Sequence, residues 1–472
     1  MKETIIFGLG REGMSSYQHL RSQDAEQTFL LIDDKPQEEL TPEWQEILAT
    51  DKLARFLSSS VITAENLSGS LLIKTPGIPP THPVYIQAQS LQLKTTSNTQ
   101  LFFEFLQSKA PETITIGITG TKGKSTTTAL IHHVLNTNDL PALLAGNIGE
   151  PALNLVPQVG ELAKSGKTPI VVLELSSHQL LDLTHSPNIA VILNITPEHL
   201  DYYPSVAEYT QAKSAICRFQ SQDDIVIYDP AKQAAQALAT KSPAQQLFFT
   251  DLGETEPSQE FAASLVQDIL FAGTTQVNSA TKLPLVGRHQ WINALPSIVI
   301  GAHFGIAPQQ IAQSLQSFRP LPHRLELVGE HNGVRYYNDS QATTPEAAIA
   351  ALRSFPVGTV ALIAGGSEKG VDLTEFAQEI LRQKVQTIAL FPPTGEKILE
   401  LLRTEPKKID QPLPKYKIVS SMSEAVDFVT TDLHPDMTVL LSPACASFGF
   451  FKNYQDRGEQ FRQMIQTDII GK

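Results

Sequence analysis

The sequence predicts an α/β protein of three domains: a Rossmann-like N-terminal domain, a central P-loop ATPase-like α/β domain and a C-terminal Rossmann-like α/β domain. Three observations carry that prediction. Two glycine-rich turns each follow a β-branched run and open a helical pattern, and a third region again alternates apolar runs with helical segments. A chain of 472 residues has room for two to four domains. Ser108-Lys-Ala-Pro111 and the prolines of Phe318-Arg-Pro-Leu-Pro-His-Arg324 mark breaks, which places the domains at 1–109, 110–319 and 320–472.

In the first domain, Thr4-Ile-Ile-Phe7 is a strand, Gly8-Leu-Gly-Arg-Glu-Gly13 a turn, and a helix follows through Leu20. A second strand, Phe29-Leu-Leu-Ile-Asp33, ends on an acid placed to accept ribose hydroxyls, the arrangement of a dinucleotide-type fingerprint. Leu71-Leu-Ile-Lys-Thr-Pro-Gly-Ile-Pro-Pro80 reads as a strand entering a loop of the kind that borders a ligand crevice. A helix is expected over Leu101 to Leu106.

The second domain opens on Thr115-Ile-Gly-Ile-Thr-Gly-Thr-Lys-Gly-Lys-Ser125. Closely spaced glycines let backbone N–H groups turn toward phosphate oxygens, and the following helix adds its positive end. Lys124 is placed for the β- and γ-phosphates and Ser125 for Mg²⁺, although Ile118 stands where the strict Walker pattern has a glycine. Ala142–Gly149, Ile170–Ser177 and Ile189–Thr196 have the apolar density of doubly buried parallel strands. Glu174 interrupts one of them, and a buried carboxylate needs a partner or a metal. Beyond it lie Thr196-Pro-Glu-His-Leu-Asp201 and an expected helix over Glu208 to Ser214. Residues 225–285 offer only weak short-strand signals, and Ala/Ile-rich helices follow Asn293.

The third domain alternates strands at Val334–Ser340, Val360–Gly366, Thr387–Phe391 and Thr438–Ser442 with helices, the first of them after Pro345.

Composition narrows the function. A net charge of −13 with no basic tract argues against nucleic acid as a partner. Two distant cysteines, Cys217 and Cys445, suggest neither a disulfide framework nor a zinc site. No apolar run approaches the roughly 20 residues a membrane span requires, and the N-terminus does not read as a signal peptide. A cytoplasmic monomer acting on small molecules is the expectation.

Thr119-Gly-Thr-Lys-Gly-Lys-Ser125, Gly146-Asn-Ile-Gly149, Glu174-Leu-Ser-Ser177, Asn194-Ile-Thr196, Leu321-Pro-His-Arg324, Asn338-Asp-Ser340 and Leu441-Ser-Pro-Ala-Cys-Ala-Ser447 together resemble the motifs of the Mur ligase family. The resemblance runs over nearly the whole chain. It implies an ATP-dependent ligase of peptidoglycan precursor synthesis that joins D-glutamate to UDP-N-acetylmuramoyl-L-alanine through an acyl phosphate, releasing ADP and phosphate. By the same resemblance the N-terminal turn holds a UDP-sugar, with Gly10, Arg11, Glu12, Asp33, Asp34, Thr75, Gly77, Asn147 and His199 around it. ATP is implied at Gly120, Thr121, Lys122, Gly123, Lys124, Ser125 and Thr126, with Asn293, Arg324 and Asp339. Thr343, Lys369, Ser447, Phe448 and Tyr454 would surround the amino acid. Lys124, Glu174, His199 and Lys213 are the implied catalytic set. Ser125 and Glu174 would hold one Mg²⁺, and His199 with a CO₂-derived carbamate on Lys213 a second; the carbamate matters because an ammonium has no lone pair for a metal.

Three departures bear on recognition. Gln341 stands where the family often has lysine, Tyr454 where phenylalanine is usual, and Glu12 near the expected diphosphate, where an anion repels unless it points away. They leave open the same chemistry with L-glutamate or another amino acid. A more distant alternative is an NAD-binding oxidoreductase with a P-loop regulatory domain, and another is a ligase-like scaffold.

Overall fold

The computed structural model describes residues 3–67, 69, 71–199, 202–368, 370–404 and 411–471. Three sheets organise the chain, in line with the three-domain α/β prediction. The first is five-stranded and parallel: β1 (Thr4–Phe7), β2 (Phe29–Asp33), β3 (Ala54–Ser58), β4 (Leu71–Lys74) and β5 (Lys94–Thr96), in the order β3-β2-β1-β4-β5. Winding reverses between β1 and β4, so their carboxyl ends open a crevice, with Phe7 paired to Lys74. Gly8 leaves β1 at φ +96°, and a Cβ there would lie 1.9 Å from Thr75 Oγ1, so only glycine lets the two loops meet.

The second sheet has nine strands in the order β14-β13-β12-β11-β10-β9-β6-β8-β7. They are β6 (Ile114–Thr119), β7 (Ala142–Gly146), β8 (Ile170–Glu174), β9 (Ile189–Ile192), β10 (Ile225–Tyr228), β11 (Gln245–Gly253), β12 (Ala263–Val266), β13 (Ile269–Ala272) and β14 (Thr275–Ser279). The weakly patterned region 225–285 thus extends this sheet with five strands, the antiparallel pair β12–β13 among them. Strands β6, β8 and β9 are buried nearly throughout, as continuous Ile/Val/Leu runs between helical layers require, and the edge strand β7 is half-buried.

The third sheet contains β15 (Glu326–His331), β16 (Val334–Asn338), β17 (Val360–Gly365), β18 (Thr387–Phe391), β19 (Lys415–Ile418) and β20 (Thr438–Leu441), in the order β15-β16-β20-β17-β18-β19. All neighbours are parallel except the β15–β16 hairpin. Separate apolar clusters lie on its two faces, around Leu362 and Leu390 on one and Ile363 and Leu441 on the other.

By contacts the chain forms two compact units. Met1–Asn278 with Asn293–Leu315 carries the first two sheets, and Ser279–Ile292 with Gln316–Lys472 carries the third. Cys217 and Cys445 are both buried free thiols. Among the described residues no helix is long and apolar enough to cross a membrane.

Candidate active site

In the first unit, sheet register gathers the loops that the sequence singled out. Ile118 of β6 pairs with Glu174 of β8, Gly146 of β7 pairs with Glu174, and Thr119 pairs with Ile192 of β9. The phosphate loop, the Asn147 loop, the end of β8 and the loop after β9 therefore leave the sheet side by side at its carboxyl edge, where open α/β sheets place ligands.

The phosphate loop runs from Gly120 to Gly123 into the helix Lys124–Asn136. Gly123 has φ +88°, and a Cβ on it would lie 2.3 Å from Asn293 Oδ1. The Asn293 carbonyl also accepts a hydrogen bond from Thr127 Oγ1 at 2.9 Å. Asn293, implied as a nucleotide residue, is thus built against the loop. Lys124 Nζ donates to the carbonyls of Gly120 and Thr121 at 3.1 and 2.8 Å, curled over the loop. Ser125 and Thr126 are buried on the first helical turn. Thr121 Oγ1 lies 2.9 Å from Tyr209 Oη and also engages the Thr196 backbone, tying the loop to the segment after β9. Lys122 pairs with Glu198 on the outside.

Glu174 is 1% exposed on an internal strand, which excludes a half-exposed edge position. Its Oε1 accepts from Asn147 Nδ2 at 3.0 Å, while Oε2 is buried with no hydrogen-bond partner. An unpartnered buried carboxylate oxygen beside a phosphate loop fits a cation. Lys213 closes the helix Val206–Lys213 and is also 1% exposed. Its Nζ donates to Gly120 O at 2.9 Å and sits 4.7 Å over the Tyr209 ring. Burial, and next the nearby Lys124 charge, lower its pKa from 10.5 to about 7.

His199 has a left-handed backbone, φ +57°, with its ring 4.8 Å from that of His178 and its Nε2 3.8 Å from Glu198 Oε2. Among the described residues no three His, Cys, Asp or Glu side chains form a metal cluster.

The N-terminal turn belongs to the same unit. Arg11 Nη2 donates to Gly149 O at 2.7 Å, joining the turn to the Asn147 loop. Asp33 Oδ2 accepts Leu9 N at 2.7 Å and Oδ1 accepts Lys35 N at 3.0 Å, so the carboxylate braces the turn. Asp34 is exposed and contacts Ser59 and His82 at 2.5 and 3.1 Å. Thr75 is buried, with Oγ1 donating to Phe7 O, and Gly77 lies in the loop after β4.

The Glu12 carboxylate is enclosed by protein. Its Oε1 accepts from Gln179 Nε2 at 2.7 Å and its Oε2 is buried without a partner. Burial raises the Glu12 pKa from 4.5 to about 7, with Gln179, Lys74 and Arg11 pulling the other way. Gln179 in turn accepts from Ser176 N and Oγ in a capping box just after β8. Sequence reasoning passed over Gln179, although the Ser176-x-x-Gln179 spacing is a capping-box signature. It also passed over the ion pair of buried Lys74 with Asp182 at 2.9 Å, for which sequence carries no signal.

In the second unit, Asp339 is buried, accepting Leu325 N at 3.1 Å and Ser442 Oγ at 2.9 Å. Burial raises its pKa from 3.8 to about 7, opposed by those hydrogen bonds and by the Arg324 charge. Arg324 thus lies within electrostatic reach of Asp339. A pocket follows the carboxyl ends of β17, β18 and β20, lined in part by Thr343, Ser367, Glu368, Thr394, Lys397 and Cys445. Of the residues implied for the amino acid, Thr343 lines it, Ser447 is buried nearby in sequence, and Phe448 is 63% exposed. The Tyr454 ring meets His323 edge-on at 6.0 Å. Lys369 lies outside the described residues.

A family model described as the Mur ligase middle domain matches residues 118–301, and one described as the Mur ligase glutamate ligase domain matches 323–445. UDP-N-acetylmuramoylalanine–D-glutamate ligase of Aquifex aeolicus is 31% identical, covering 98% of each chain. The Enterococcus hirae enzyme of the same name is 32% identical over 100% of this chain and 97% of its own. Among solved structures, UDP-N-acetylmuramate-alanine ligase MurC of Thermotoga maritima superposes with TM-score 0.59 at 17% identity, covering 99% of this chain and 100% of that one. MurF ligase of the same organism, in complex with ADP, gives TM-score 0.56 at 15% identity over 100% and 96% of the two chains.

Proposed function

The chain belongs to the Mur ligase family, and from that membership we propose its reaction in full: D-glutamate is joined to UDP-N-acetylmuramoyl-L-alanine at the expense of ATP, in peptidoglycan precursor synthesis. The observation that carries the reading is full-length similarity at 31 to 33% identity to relatives bearing that one activity. The convergence of Lys124, Glu174 and Lys213 at one sheet edge supplies the chemistry.

In the proposed reaction an oxygen of the substrate's terminal carboxylate attacks the γ-phosphorus, the bond to ADP breaks, and an acyl phosphate forms. The neutral amine of D-glutamate then attacks the acyl carbon, loses a proton, and phosphate leaves as the amide forms. Carboxylate and triphosphate repel, so positive groups must sit where oxygen charge accumulates. Lys124 uncurls from the Gly120 and Thr121 carbonyls to meet the β- and γ-phosphates, and Asn293 stays packed on the loop. The UDP-sugar lies along the Gly8–Gly13 turn.

Mg²⁺, held by Ser125 and the free Oε2 of Glu174, would neutralise phosphate oxygens during transfer. A second ion would use His199 and a carbamate on Lys213. That lysine suits the modification because its lowered pKa of about 7 leaves a large neutral fraction, and only the neutral amine adds CO₂. The working unit is taken to be the monomer, free of membrane and nucleic acid.

The test is phosphate release with ATP, Mg²⁺ and UDP-N-acetylmuramoyl-L-alanine while D-glutamate, L-glutamate and other amino acids are added in turn. Release should require D-glutamate and yield a product heavier by one glutamyl residue. Release with a different amino acid alone, or with none, refutes the reading.

A further inference from the structure

Resting on the reading that the last domain receives the incoming amino acid, we infer that the pocket beyond β17, β18 and β20 holds that amino acid's side-chain carboxylate, and that Lys397 is a specificity-determining residue that exchanges Glu368 for it. Lys397 lies in the first turn of the helix Thr394–Thr404 and lines the pocket. It pairs with Glu368, and the two side chains are 51% and 43% exposed. Such an exposed pair is weak, because water screens both charges. A ligand carboxylate can therefore take Lys397 over while Glu368 returns to water.

The walls are suited to an anion. Ser367 Oγ is buried and without a hydrogen-bond partner, leaving a donor for a ligand oxygen. Behind the pocket, Arg457 is fully buried, yet its hydrogen bonds go to neutral oxygens: Ser340 Oγ at 3.0 Å, Ser340 O at 2.8 Å and Cys445 O at 3.2 Å. Cys445 itself lines the pocket, so this guanidinium puts positive potential into a low-dielectric wall. Gln341, two residues before the pocket residue Thr343, brings no charge from its own loop. Lys397 supplies from another helix the cation that Gln341 lacks.

A purely superficial Lys397–Glu368 pair would leave substrate kinetics unchanged, which makes the two readings separable. Full-length wild type, Lys397→Ala and Lys397→Arg are compared by initial rates with D-glutamate varied at saturating ATP and UDP-N-acetylmuramoyl-L-alanine. Lys397→Ala should raise KM for D-glutamate about tenfold or more, as expected for a lost charge-assisted hydrogen bond, with kcat within about twofold. KM for the other two substrates should not move, and Lys397→Arg should recover most of the loss. An unchanged KM for D-glutamate in Lys397→Ala, with wild type active, overturns the inference alone. Wild type that releases no phosphate in response to D-glutamate refutes instead the functional reading beneath it.

Discussion

Replacing Glu12 by Gln should flatten a pH dependence of stability that the wild-type protein carries in its N-terminal turn. Burial raises the folded-state pKa of Glu12 from 4.5 to about 7. Between those values the folded protein binds more protons than the unfolded chain, so stability falls as pH rises. The favourable contribution is complete below about pH 4.5 and is lost as pH climbs through about 7. At about 1.4 kcal/mol per pH unit, the loss amounts to about 3 kcal/mol by pH 8.5. Glutamine keeps an acceptor for Gln179 Nε2 at the Oε1 position. It also puts an amide N–H where Oε2 has no partner, costing about 1–3 kcal/mol at every pH. The two effects have different signatures: the second offsets the curve, and only the first tilts it. Urea midpoints can be followed through Trp44, whose indole donates to Leu9 O in the turn itself, with Trp291→Phe removing the other tryptophan of the chain. From pH 5 to 8.5 the wild type should lose about 3 kcal/mol more than Glu12→Gln. Parallel curves would refute the assignment of a raised pKa to this carboxyl.

Lys213→Ala should lower kcat by at least about 100-fold, with partial rescue by a short-chain carboxylate; full activity without rescue would remove the carbamate from the mechanism. For the wild type, carboxylation should rise as pH passes about 7, read as bicarbonate-dependent activity or by ¹³C NMR of the lysine carbamate. Glu174→Gln should weaken Mg²⁺ activation about 10- to 100-fold without disturbing the bond from Asn147 at 3.0 Å, measured by titrating Mg²⁺ in the phosphate-release assay. Gly123→Ala forces φ +88° on an L-residue and drives a methyl into Asn293, so ATP-dependent turnover should collapse and the midpoint of thermal unfolding should fall. An unaffected KM for ATP in that variant would contradict the packing of Asn293 on the loop.

Much of this arrangement is local and therefore written along the chain. Strand Thr4–Phe7, the turn after it and strand Phe29–Asp33 follow from β-branched runs broken by glycines. The phosphate loop and its helix follow from the same grammar, and Glu174 declared itself by interrupting an apolar run. Region 225–285 stayed illegible because short, half-exposed strands such as Gln245–Gly253 have neither a clean two-residue alternation nor a long apolar run. The hairpin strand Glu326–His331 escaped for the same reason, and the edge strand Lys415–Ile418 because it is only four residues long and mostly exposed.

What the chain order cannot state is which distant groups share a dielectric environment. Asp33 has the residue type and position of a ribose acceptor, and only the fold shows that its oxygens also accept the Leu9 and Lys35 N–H groups. Glu12 reads as an anion near a phosphate site, but burial raises its pKa to about 7 against the opposing hydrogen bond from Gln179, 167 residues away. Lys213 reads as a solvated helix lysine until Gly120 O and Tyr209 enclose it. Sequence by itself determined the parallel strands, the phosphate loop and the residue types at the sheet's carboxyl edge, because apolar periodicity and glycine conformations are properties of neighbouring residues. Only the tertiary structure decided which of those residues are desolvated, because burial is conferred by segments that meet across the sheet, and it is desolvation that sets their charge.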